Sequence, residues 1–118
     1  MSENEVEQIK IGRVNFQRGE TRKEVTTIIM DGFRFLPASA IAKLFGRDKS
    51  TILKWTKKLG IVGMELKPNE IRELKRLDYS AYGTSRTLLF DIDDLGKLSE
   101  VMSIKLIELP QKGDHDNA

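Results

Sequence analysis

Between Leu36 and Gly60 the chain carries Lys43, Arg47, Lys49, Lys54, Lys57 and Lys58 against a single acid, Asp48. Over the rest of the sequence the charges cancel or turn acidic, so the formal total is only +2. Affinity for phosphates follows the local field rather than the overall charge, which makes this block a candidate face for a polyanion. A lysine-rich helix that is merely solvated has the same composition, and charge alone does not choose between the two.

Other residues able to do chemistry are few. Asp91-Ile92-Asp93-Asp94 lacks the glycine and the distal glutamate of a calcium loop, and helix capping accounts for it. Asp114-His115-Asp116 holds the only histidine, close to the C-terminal end. A Ser–His–Asp arrangement would need that histidine to dock elsewhere, and histidine-rich zinc sites are excluded. There is no cysteine and no phosphate-cradling glycine loop. The expectation is a protein without catalytic residues, metal or cofactor.

Spacing gives the basic block a scaffold. Pro37 suits the start of a helix, where its missing N–H is not needed. Ile41, Leu44 and Phe45 then form an i, i+3, i+4 apolar stripe. Ala42 is small enough for a second helix to cross closely, and Gly46, four positions on, tolerates a left-handed turn. Asp48 is expected to cap the next helix by accepting an N–H from Ser50 or Thr51. In that helix Ile52, Trp55 and Leu59 face the first one, with Trp55 as core rather than a base-stacking platform, and Gly60 ends it. The result is a helix-turn-helix over 38–59, with the excess of positive charge on the same segment.

The remaining sequence predicts one α+β domain over 9–109. Residues 1–8 have no apolar period and are expected to be flexible. Ile9, Ile11 and Val14-Asn15-Phe16 read as a short strand, and Gln17-Arg18-Gly19-Glu20 as a turn. Val25–Met30, Asp31-Gly32 and Phe33–Leu36 read as a hairpin. Pro68–Leu77 is a helix by its Ile71, Leu74 and Leu77, and Tyr79–Ser85 is a polar turn. Thr87–Phe90 is a strand. Asp91 caps a final helix through Ile92, Leu95, Leu98, Val101, Met102 and Leu106, closed by Pro110, with 110–118 as a disordered tail.

The run Phe35-Leu36-Pro37-Ala38-Ser39-Ala40-Ile41-Ala42-Lys43-Leu44-Phe45-Gly46-Arg47-Asp48-Lys49-Ser50-Thr51-Ile52-Leu53-Lys54-Trp55 resembles the opening of MerR-type regulators and phage excisionases. There a strand end leads into a helix ending in Leu-Gly, then a capping residue and a Thr-Val-x-x-Trp-like recognition helix. The likeness resumes at Gly83-Thr84-Ser85-Arg86-Thr87-Leu88-Leu89-Phe90-Asp91-Ile92-Asp93-Asp94-Leu95, where that group has a basic wing, a core strand and a helix opening with acids. Arg47 stands where the group usually has an apolar residue, and 61–78 is a longer insertion than a tight wing needs. The resemblance implies a winged helix-turn-helix with an additional N-terminal β-hairpin and a C-terminal helix, the wing lying at about 79–90. It also implies sequence-specific binding of double-stranded DNA by a transcriptional regulator or a phage- or plasmid-type accessory factor.

By motif position Lys49, Ser50, Leu53 and Lys54 face the major groove, Lys49 toward guanine O6 and N7 and Leu53 toward a thymine methyl. Arg47, Thr51, Lys57 and Lys58 are placed at phosphates or packed nearby, and Ser39 and Lys43 of the first helix at the DNA backbone. Asp48 can alternatively accept from cytosine N4. Arg86 is either a minor-groove contact of the wing or an ordinary loop arginine. One such motif covers few base pairs, so a homodimer spanning half-sites about 34 Å apart is expected, through the final helix or the first 35 residues. The acidic C-terminal third and the N-terminal strands also fit a protein-interaction module without DNA binding. An acidic, polar N-terminus and no apolar run near ~18 residues predict a cytoplasmic protein with no membrane span.

Overall fold

The computed structural model describes residues 9–77 and 88–110. Its frame is a single antiparallel sheet of six strands: β1 (Ile9–Arg18), β2 (Thr21–Met30), β3 (Phe33–Pro37), β4 (Met64–Glu65), β5 (Leu88–Asp91) and β6 (Ile107–Leu109). Their spatial order is β4-β5-β3-β2-β1-β6. Four α-helices accompany it among the described residues: α1 (Ala38–Phe45), α2 (Lys49–Leu59), α3 (Pro68–Arg76) and α4 (Leu95–Met102). None is long and apolar enough to cross a membrane.

Period-two alternation divides the core into two parts on opposite faces of the sheet. In β1 the buried residues change parity along the strand, from Ile9 at one end to Val14 and Phe16 at the other. The β1–β2 register is continuous, so this change moves burial from one face to the other. Val14, Phe16, Leu36 and Phe90 pack with Ile41, Leu44, Phe45, Ile52, Leu95 and Leu98, which places α1, α2 and α4 on one face. Ile9, Ile28, Met30 and Leu89 pack with Leu66 and Leu74, which places α3 on the other. Neighbouring residues of β3 and β5 therefore serve different cores.

The Asp31-Gly32 hairpin forms as its sequence predicts. Asp31 has φ 56° and Gly32 φ 82°, while Met30 pairs with Phe33, giving the two-residue turn whose twist matches its strands. β1 is longer than expected: Gln17 and Arg18 still pair with Arg22 and Thr21, so the turn shrinks to Gly19-Glu20. The last helix is shorter than its apolar spacing predicted. Ser103 turns left-handed at φ 54° and ends α4, so Leu106 lies beyond it and Pro110 does not close it. The chain then runs back as β6 beside Asn15–Gln17 of β1. Glu108 of β6 accepts from Arg34 of β3 at 2.8 and 3.2 Å, although β2 and β1 lie between those strands, so the sheet curls strongly.

Gly46, which follows α1, and Gly96, within α4, respond oppositely to a methyl group. Gly46 has φ +67° and its Cβ would meet the Arg18 guanidinium at 3.0–3.2 Å, whereas nothing lies near a Cβ on helical Gly96. Gly46→Ala is expected to destabilise the chain by about 1–2 kcal/mol. Gly96→Ala is expected to stabilise it by about 0.5 kcal/mol. Urea midpoints of the two variants, compared with the parent chain, check the opposite signs.

Candidate nucleic-acid interface

The α1–α2 junction follows from how each helix ends. α1 stops because Gly46 adopts the left-handed region, which lets the Arg47 N–H donate to Ala42 O at 3.0 Å. α2 starts at Lys49 and stops the same way: Gly60 has φ 75°, and the Ile61 N–H donates to Thr56 O at 2.9 Å. Ile41 and Phe45 of α1 and Ile52 of α2 are buried in one cluster. Leu53, Trp55 and Leu59 are partly buried against it.

The outward side of α2 is basic. At 3.6 residues per turn, Ser50, Lys54, Lys57 and Lys58 fall within an arc of about 100° opposite Ile52. All four are exposed, as are Lys49, Arg47, Ser39 and Lys43. Lys43, Lys49, Lys54 and Lys57 make no ion pair with a described residue. Lys58 is differently engaged, its Nζ lying 5.1 Å from the centre of the Trp55 ring. Arg47 donates back to Gly46 O at 3.2 Å. Thr51 is half-buried, and the half-buried Leu53 rests on the core, so only part of the leucine faces outward. Thr56 is the one polar residue of α2 that is buried, and its hydroxyl donates to Leu53 O at 2.9 Å.

Asp48 is a correction. It occupies the N-cap position, yet its side chain makes no cap hydrogen bond, and the backbone Asp48 O alone accepts from Thr51 and Ile52 at 3.0 and 3.2 Å. Asp91 does act as foreseen, its Oδ1 accepting the Asp93 N–H at 2.9 Å ahead of α4. Arg86, nearly all of the expected wing and the Asp114-His115-Asp116 triplet lie outside the described residues. Among those that are described, no group of three or more His, Asp or Glu is placed to hold a metal ion.

One participant was missed in the sequence. Arg18, at the end of β1, donates from Nη1 to Leu44 O at 2.6 Å, setting its charge at the carbonyl end of α1. The two residues are 26 positions apart. No local pattern signals such a contact, because it depends on the hairpin reaching the helix pair.

No protein-family model matches the chain, and comparisons with curated proteins and with solved structures gave no significant match.

With no side-chain bond to lose, Asp48→Ala should change unfolding free energy by less than ~0.5 kcal/mol, where a working cap would cost ~1 kcal/mol. Chemical denaturation decides between these values.

Proposed function

We propose that this chain binds double-stranded DNA sequence-specifically, with α1 and α2 as a helix-turn-helix and α2 in the major groove. The observation that carries this reading is the outward side of α2, where exposed Ser50, Lys54 and Lys57 lie opposite the buried Ile52 and the two lysines make no ion pair with a described residue, with exposed Lys49 at the start of the helix. A single α-helix is what the major groove admits, and its N-terminal residues are those that reach base edges. Lys49, Ser50 and Lys54 are accordingly assigned to bases, together with the outward part of Leu53. Arg47, Lys57, Ser39 and Lys43 are assigned to phosphates. Thr51, half-buried, and Lys58, held over Trp55, are given secondary parts at the phosphates.

On this reading the fold is a winged helix-turn-helix in which the sheet carries the helix pair and Arg86 belongs to the wing. The chain acts as a homodimer in transcriptional regulation or as a phage- or plasmid-type accessory factor, without catalysis or cofactor.

The test is selection of bound duplexes from a random pool, followed by titration over a range of salt. Lys57→Gln should weaken binding equally for all sequences and lower the slope of log affinity against log salt by about 0.9 for each bound protomer. Lys49→Ala should relax preference at one base pair by ~1–3 kcal/mol if it reads a base, or lower the slope by ~1 if it meets phosphate. A parent chain that binds no duplex at about 50 mM salt overturns the proposal and favours a protein partner.

A further inference from the structure

The end of the β1–β2 hairpin carries an exposed cation, Lys23, on its helix-bearing face, and it is fastened to the helix pair. The fastening is Arg18, which bonds Leu44 O and lies against the Gly46 turn. In the register Arg18 faces Thr21 and Phe16 faces Lys23. Side chains alternate between faces, so Phe16, Arg18, Lys23 and Val25 share one. That face carries α1 and α2, because Phe16 and Val25 pack into their core. Lys23 stands next to the Arg18–Thr21 pair that ends the row, exposed and making no ion pair with a described residue.

A second observation locates the hairpin relative to α1. Glu24, Val25 and Thr26 of β2 and Ser39, Ala40 and Lys43 of α1 line one shared cleft. Ser39 and Lys43 are the residues of α1 assigned above to the DNA backbone. Lys23 is next in sequence to this cleft and on the helix-bearing face, so a cation of a separate element stands beside the cleft that Ser39 and Lys43 line. Arg22 points to the opposite face, beside Gln17. Glu20 and Glu24 are the exposed acids of the hairpin end.

We infer that the hairpin end, with Lys23 as its leading cation, binds phosphates of duplex DNA outside the groove that α2 occupies. DNA is then held by two elements of one chain, and Arg18 fixes the distance between them. This inference rests on the assignment of α2 to the groove.

The experiment uses the full chain and its selected duplex, with salt titration, hydroxyl-radical footprinting and a melting curve for each variant. Lys23→Gln is expected to lower the log–log salt slope by about 0.9 for each bound protomer, with no change in melting. It should also lose protection at one edge of the footprint. Arg22→Gln, on the other face, should keep the parent slope, and Glu24→Gln should tighten binding. A parent slope and footprint in Lys23→Gln, while Lys57→Gln shows its own loss, overturns the hairpin contact and leaves α2 in place. Loss in Lys23→Gln without loss in Lys57→Gln supports the hairpin and overturns the assignment of Lys57. A parent chain that binds no duplex overturns both readings.

Discussion

The arrangement of the molecule turns on the left-handed backbone at Gly46. With φ +67° the chain reverses within three residues, and α2 starts at Lys49 with its apolar side against the cluster that α1 already occupies. A Cβ there would also stand 3.0–3.2 Å from the Arg18 guanidinium, close enough that the arginine would have to give by a few tenths of an ångström. Two constraints of different origin, one of backbone strain and one of packing, converge on one position. The direction of α2, and hence of its lysines, follows from that junction.

The lysines themselves work against the helix that carries them. Lys54 and Lys58 are four positions apart and Lys54 and Lys57 three, spacings at which like charges oppose each other by roughly 0.2–0.5 kcal/mol per pair. No acid sits in the first turn of α2 to offset its dipole, and the Asp48 side chain does not cap it. Only the last turn benefits, where Lys57 and Lys58 lie near the carbonyl end. The helix is held by buried Ile52 and by Leu53, Trp55 and Leu59 packed against the same core rather than by its outward residues. Charges that give so little to folding are placed where a polyanion would compensate them, which is the physical case for a phosphate partner.

Much of this was legible in the sequence because the deciding residues act locally. Asp31-Gly32 dictates its hairpin, Gly46 and Gly60 end their helices, and Ile41, Phe45 and Ile52 announce a shared core by spacing alone. The two-sided sheet was not legible. It depends on β1 changing buried parity between Ile9 and Val14, and a strand that serves two cores shows no clean alternation along its length. β6 was hidden for a related reason: Val101, Met102 and Leu106 keep helical spacing past Ser103, where the backbone turns left-handed. β4, two residues long, pairs with β5 and has no pattern of its own. Within the candidate site, the exposure of Ser50 and Lys54 followed from the helix period, while the Arg18 contact needed the whole sheet.

That contact has a geometrical origin in the uneven lengths of the first three strands. β2 pairs with β3 only over Ile28–Met30, so among the described residues Thr21–Thr27 has no strand on that side. α1 follows β3 without a linker, since Pro37 ends the strand and Ala38 begins the helix. From there Ser39, Ala40 and Lys43 of α1 face Glu24, Val25 and Thr26 of that vacant half across one cleft. α1 then ends at Gly46 within reach of Arg18, which stands at the end of β1 on the helix-bearing face. The hairpin thus acts as a brace whose length is matched to α1, and the turn that orients α2 is held from both the helix and the sheet.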